Sequence, residues 1–169
     1  MESTPTPSGD EGELVTWFPP GSDWPENILD NWPRMLELTR GKSYRLDRAL
    51  VYASLAVTES GGREDAIGDG GDAVGLFQLH ARGAGAGMSV EERKDPEAQY
   101  KRFIPVIDKA FDQAIAEGLR GRETAVRTGQ LAERPYDDPE NAYDGPYQYG
   151  KTYARLRETI EWAHRLELG

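Results

Sequence analysis

Apolar residues are concentrated in one segment of the first half of the chain. Nearly every residue from Ala49 to Val57 is apolar, and the pattern extends over residues 46–59. A surface helix carries a polar face, whereas a segment of this length that is apolar all round is typical of a helix buried in a core. We therefore predict a central, buried helix over residues 46–59, with Glu59 at its end.

A turn-forming pattern follows this helix. The segment Gly68-Asp69-Gly70-Gly71-Asp72 is a strong turn signal, and residues 73–79 have the composition of a short extended segment. We predict a small β-hairpin-like excursion over residues 68–80. The alternating glycines of residues 82–87 predict a mobile loop.

Helix signals dominate the rest of the chain. Ser89 and Glu92 have the spacing of a capping box. Asp95-Pro96 predicts the start of a long helix, which Gly118 ends. Further helices are predicted over residues 122–133, near 139–144 and over 147–167. The chain is therefore expected to be mainly α with a minor β element.

The N-terminal region differs from the rest in composition. Residues 1–12 are rich in Pro, Ser, Gly and acidic residues, which predicts a disordered tail. Residues 13–45 contain aromatic residues separated by prolines, which predicts a wrap packed onto a main domain of residues 46–169. We interpret these aromatics as core anchors. Stacking of one tryptophan on a carbohydrate is the alternative.

Composition narrows the class of protein. A chain of 169 residues has the length of about one domain. The net charge of −10 argues against nucleic acid or an anionic membrane surface as the main partner. The chain has no cysteine, so it has neither disulfides nor a thiolate metal site. No apolar stretch approaches the ~18 residues that span a bilayer, so we expect no stable membrane association.

Glu59 is the strongest candidate for chemistry. A carboxyl group held against apolar surface is desolvated, which disfavours its charged form and raises its pKa. The C-terminal end of a helix dipole acts in the same direction. Such a group can hold a proton near neutral pH and deliver it to a leaving oxygen, as the acid of a glycosidase must. A solvated glutamate at a helix end is the ordinary alternative.

The residues after this carboxylate carry a family resemblance. Glu59-Ser60-Gly61-Gly62 is followed by Gly75-Leu76-Phe77-Gln78, and Gly68-Asp69-x-Gly71 lies between them. Asp95-Pro96-Glu97 follows downstream. This combination resembles the goose-type lysozyme and soluble lytic transglycosylase superfamily over residues 45–110. Ala132-Glu133-Arg134-Pro135 resembles a segment of its phage-type members.

The resemblance implies a fold, a substrate and a set of site residues. Residues 46–169 would form a lysozyme-like catalytic domain in which the β excursion lines the cleft. The enzyme would cleave the β-1,4 bond between N-acetylmuramic acid and N-acetylglucosamine in peptidoglycan, with Glu59 as general acid and no metal or cofactor. The substrate-binding residues that the resemblance implies are Ser60, Gly75, Leu76 and Gln78. Position in the sequence adds His80, which is near the site, and Tyr149 of the last helices, for which structural packing is the alternative.

Asp69 is the candidate second catalytic carboxylate. It could position a water molecule or stabilise an oxocarbenium-like transition state, although aspartate in a glycine-rich turn often serves backbone geometry alone. A carboxylate here favours a hydrolase. Leu79-His80 stands where goose-type enzymes often have an aspartate, and this departure favours a lytic transglycosylase that forms a 1,6-anhydro product. The third alternative is a non-catalytic structural or wall-binding module on the same fold.

Expectations on location and partners follow from the N-terminus and the resemblance. The first residues lack the basic start and the apolar segment of a signal peptide. We therefore expect synthesis in the cytoplasm and delivery to the cell wall by a phage particle or by holin release. Peptidoglycan glycan strands are the expected partner, other virion proteins are candidates, and the isolated domain is expected to be a monomer.

Overall fold

A computed structural model of the protein describes residues 26–81, 83–133 and 145–168. This part of the chain is mainly helical with one small antiparallel sheet, as predicted. The helices are α1 (Glu26–Leu38), α2 (Arg45–Ser60), α3 (Val90–Lys94), α4 (Pro96–Ala116), α5 (Arg122–Glu133) and α6 (Gly145–Leu168); the strands are β1 (Ile67–Gly68), β2 (Ala73–Val74) and β3 (Leu79–His80).

The predicted central helix is confirmed as α2. Every residue from Arg48 to Ala56 is buried. The helix ends in a left-handed glycine cap, in which Gly61 N–H donates to Val57 O and Gly62 N–H donates to Ala56 O. Both glycines have positive φ. This ending fixes Glu59 in the last turn of α2, one residue before the helix stops.

The other helices enclose α2. Helix α1 packs against α2, α6 packs against α2 and α5, and α5 packs against α4. Trp32 of α1 is fully buried in the common core, in agreement with its interpretation as a core anchor. The predicted tail of residues 1–12 and the predicted helix near 139–144 lie outside the described residues, and the domain boundaries stay a prediction.

The β region has one strand more than a hairpin. Strand β2 lies between β1 and β3, with Ala73 opposite both Gly68 and His80. The prediction that residues 73–79 form one extended segment is wrong, because the chain reverses between β2 and β3. Gly75 and Gln78 have φ values of 95° and 54°, which bring the chain back on itself.

The junction between the sheet and α4 is closed by α3. The capping box is confirmed: Ser89 Oγ accepts a hydrogen bond from Glu92 N–H, and Glu92 Oε1 accepts one from Ser89 N–H. Helix α4 begins at Pro96, as expected for a proline in the first helical position. Gly118, with a φ of 87°, follows its end. Helix α3 contacts both β2 and α4 and therefore joins the sheet to α4.

An ionic cluster around the buried side chain of Arg48 ties α2 to α4. The guanidinium of Arg48 lies 2.8 Å from Asp112 Oδ1 and 3.3 Å from Asp108 Oδ1, and it stacks on the ring of Phe111. Tyr52 O–H donates to the same Asp108 oxygen. Burial, together with the charge of Asp108, raises the pKa of Tyr52. These contacts fix the first half of α2, and Glu59 lies at the other end of the same helix.

Candidate active site

The carboxyl group of Glu59 meets a tyrosine of the last helix. Glu59 is half-buried in the last turn of α2. Tyr149 is fully buried on α6, and its hydroxyl donates a hydrogen bond to Glu59 Oε1. The predicted acid and one of the predicted cleft residues are therefore in direct contact. A hydrogen bond to a carboxylate is stronger than one between neutral groups and orients the group that receives it.

A second contact sets the position of α6 on α2. The hydroxyl oxygens of Thr58 and Thr152 are 3.0 Å apart. Thr152 lies three residues after Tyr149, so both side chains are on the same face of α6. Thr58 precedes Glu59 directly. The two helices are thus joined by adjacent polar contacts at the end of α2.

Ser60 joins the end of α2 to the turn between β2 and β3. Its side chain is buried, and Oγ lies 3.0 Å from Ala56 O and 2.8 Å from Leu76 O. These contacts account for a small hydroxyl residue at this position without a ligand. A substrate contact for Ser60 stays a prediction.

The turn at residues 75–78 is held by side chains that the sequence did not single out. The wholly buried Gln99 of α4 accepts a hydrogen bond from Phe77 N–H at 3.0 Å. A Cβ on Gly75 would collide with the Gln99 amide and with Arg93 O. Gly75 is therefore required by this packing, whereas the sequence suggested approach of a ligand. Leu76 is fully buried in the core.

Gln78 is half-buried beside the sheet. Its Nε2 donates to Ala66 O at 3.1 Å and to Gly75 O at 2.9 Å. A Cβ on Gly68 would lie 2.5 Å from Gln78 Oε1, so the glycine leaves room for the amide. The side chain holds the loop together, and contact with a sugar stays a prediction.

Buried Arg93 fixes the far side of the sheet. Its Nη1 donates to Asp72 O at 2.8 Å and to Leu79 O at 3.0 Å. No local sequence pattern indicates the role of Arg93 or of Gln99, because both contact residues that are distant in sequence.

His80, at the end of β3, is exposed. The backbone of Asp69 lies in a 3₁₀ turn at Asp69–Gly71, but its side chain is outside the described part of the molecule.

A groove on another face is separate from these residues. It has a volume of about 630 Å³ and lies between α1 and the first half of α4. Its lining includes Arg34, Leu38, Tyr100 and Ile104 and none of the predicted site residues. We place the candidate site at Glu59, because a buried helix end with a positioned carboxyl group is chemically more specific than this open groove.

The described residues contain neither a candidate metal site nor a membrane-spanning helix. Within the described ranges, no three His, Cys, Asp or Glu side chains are grouped so that they could hold a metal ion. In the same ranges no helix is both long and apolar enough to cross a bilayer.

Comparison with known proteins gives no assignment. No protein-family model, no curated protein and no solved structure matches this chain. The functional interpretation therefore depends on the motif residues and on the contacts of Glu59.

Proposed function

We propose that the protein is a peptidoglycan-cleaving glycosidase with a lysozyme-like catalytic domain. It would cut the β-1,4 bond between N-acetylmuramic acid and N-acetylglucosamine, with Glu59 as general acid. The observation that carries the proposal is the hydrogen bond from buried Tyr149 to Glu59, at the end of a buried helix. The motif formed by Glu59-Ser60 and Gly75-Leu76-Phe77-Gln78 supports the same function.

The contact with Tyr149 suits an acid catalyst. Because the tyrosine hydroxyl donates to Oε1, the proton of the neutral acid belongs on Oε2. A fixed carboxyl group can then present that proton to the glycosidic oxygen in one direction. General acid catalysis requires such hydrogen-bond reach in the substrate complex.

The reaction has two possible second halves. In both, Glu59 protonates the leaving oxygen as the bond to the anomeric carbon breaks. In a muramidase, water attacks that carbon, Asp69 takes the water's proton, and a reducing end forms. In a lytic transglycosylase, the C6 hydroxyl of the muramic acid attacks, the Glu59 carboxylate takes the proton of that hydroxyl, and a 1,6-anhydro end forms. Gly68-Asp69-x-Gly71 favours the first route.

The proposal extends to the setting in which the enzyme works. We propose that it reaches the wall as a phage lysin or as a tail-associated enzyme, with glycan strands as substrate. The net charge of −10 supports a partner other than nucleic acid.

Mass spectrometry of purified peptidoglycan after incubation with the protein tests the function. We expect soluble disaccharide-peptide fragments cut between the two sugars. Reducing ends identify the hydrolase, and 1,6-anhydro ends, which are lighter by one water, identify the transglycosylase. Protein that sediments with the wall and releases no fragment would contradict the proposal and indicate a binding module.

A further inference from the structure

A glycine in the middle of α5 faces the ring of Tyr149. Gly129 is buried, and a Cβ built on it would lie 2.5 Å from Tyr149 Cε2 and closer still to Cδ2. The same Cβ would lie 3.4 Å from Pro146 Cα, in the first turn of α6. Real Cβ atoms do not approach other atoms within 3 Å, so any side chain at this position requires the tyrosine ring to move.

The ring has little room to move. Tyr149 is fully buried among side chains of the core, and packed interiors have few voids larger than a water molecule. The hydroxyl at the end of the ring is hydrogen-bonded to Glu59. A displacement of the ring at Gly129 is therefore carried to the carboxyl group at the end of α2.

A glycine in the middle of a helix has a cost that requires a reason. Glycine is less favourable than alanine there by about 1 kcal/mol, and such a glycine usually has a packing or functional role. Gly150 of α6 provides a comparison at the same helix pair. A Cβ on Gly150 would lie 2.6 Å from Val126 Cγ2, a methyl group of a half-buried side chain, and 3.5 Å from Arg122 O. Apart from its own chain neighbours, the atoms nearest to this Cβ belong to Val126 and Arg122 of α5.

We propose that Gly129 is a positioning residue for Glu59, and that it acts by leaving the space in which the Tyr149 ring is seated. The consequence for lysis rests on the proposed function, whereas the seating of the ring does not. Gly129→Ala displaces the Tyr149 hydroxyl from the Glu59 carboxyl group, so that the acid proton is no longer held in one direction.

Three variants test the proposal in the full chain. Gly129→Ala is compared with Gly150→Ala, which gains the same helix propensity at the same interface, and with Tyr149→Phe. We expect Gly129→Ala to slow release of wall fragments by roughly tenfold to a hundredfold, as small misplacements of catalytic groups do. Gly150→Ala should stay within about twofold of the wild type. In the Tyr149→Phe background, Gly129→Ala should change the rate by less than about twofold, because the hydroxyl is already gone.

A spectroscopic readout separates this inference from the proposed function. The ¹³C resonance of the Glu59 carboxyl should shift in Gly129→Ala in the direction seen for Tyr149→Phe, and should stay in place in Gly150→Ala. If the wild type releases no fragments, the proposed function fails, and the resonance still tests the seating of the ring. An unshifted resonance in Gly129→Ala overturns the inference even if lysis is slowed.

A folding failure would also be informative. If Gly129→Ala does not fold, a clash with the ring predicts that the double variant Gly129→Ala/Tyr149→Val regains a cooperative thermal transition, since valine has no atom at the Cδ2 and Cε2 positions of the ring. An equal loss of folding in the double variant would show that the space is needed for another reason and would overturn the inference.

Discussion

The hydroxyl of Tyr149 donates a hydrogen bond to the carboxyl group of Glu59, which lies 90 residues earlier in the chain. We predict that Tyr149→Phe lowers the rate of wall lysis by about tenfold while the protein stays folded. One hydrogen bond between uncharged groups contributes about 0.5–1.5 kcal/mol, and its loss removes a contact that orients the carboxyl group of the neutral acid. Turbidity loss of a cell-wall suspension measures the rate, and circular dichroism checks the fold. A Phe variant with the wild-type rate would show that this contact is irrelevant to lysis.

The second carboxylate distinguishes the two chemistries. We predict that Asp69→Asn slows lysis by at least about tenfold, because an inverting hydrolase needs a second carboxylate that activates the attacking water. The two carboxyl groups of such enzymes are about 6.5–9.5 Å apart, which leaves room for that water. Asp72→Asn is the matched control. Asp72 is exposed, and Arg93 donates its hydrogen bond to the backbone oxygen of Asp72 rather than to its carboxylate. Equal, mild effects of both variants, together with 1,6-anhydro products, would exclude the hydrolase route.

Two threonines differ in what their buried hydroxyls contact. Thr128 Oγ1 has no hydrogen-bond partner among the described residues. In contrast, Thr39 Oγ1 donates a hydrogen bond to Leu36 O at 2.6 Å and accepts one from Arg45 Nε. An unsatisfied buried hydroxyl is destabilising, so Thr128→Val should be neutral or stabilising by up to about 1 kcal/mol. Thr39→Val should cost about 1–3 kcal/mol. Urea unfolding measures both, and a large loss in Thr128→Val would contradict the assignment of its hydroxyl.

Two buried tyrosines predict how stability depends on pH. Burial is the main cause that raises the pKa of Tyr52 and of Tyr100, with Asp108 and Glu64 as the leading charged neighbours. The unfolded chain releases these protons near pH 10, whereas the folded chain keeps them. Their contribution is therefore complete below about pH 10 and is lost above it, by about 1.4 kcal/mol per pH unit for each tyrosine.

The slope of unfolding free energy between pH 10 and 11 checks this prediction. Tyr52→Phe should reduce the slope by about one proton, although it also removes the hydrogen bond to Asp108 and lowers stability at every pH. A Phe variant with the slope of the wild type would show that Tyr52 ionises in the folded protein.

The central helix and its end could be predicted from sequence because both depend on local chemistry. The apolar run over residues 49–57 identified α2, and the adjacent glycines form its left-handed cap. The spacing of Ser89 and Glu92 likewise identified the capping box. The turn at residues 75–78 was missed, because it requires a positive φ at Gln78, a residue with no special preference for that conformation.

Long-range partners had no comparable signal. Tyr149 was a candidate cleft residue only as one of several tyrosines near the last helices, and its contact with Glu59 depends on how α6 crosses α2. Gln99 acts on a turn 22 residues away through a single amide contact. Gly129 did carry a signal, since an isolated glycine inside a helical pattern usually has a packing reason. Identifying that reason required the position of the Tyr149 ring.

Glu59→Gln is the most direct test of the proposed function. The amide is close in size and can still accept the hydrogen bond from Tyr149, but it has no acid proton to transfer. Release of soluble fragments from purified peptidoglycan should be measured for both proteins, after thermal unfolding has shown that they are equally folded. The account predicts that the variant is slower by roughly two to four orders of magnitude. A Gln variant that releases fragments at the wild-type rate would contradict the assignment of Glu59 as the general acid.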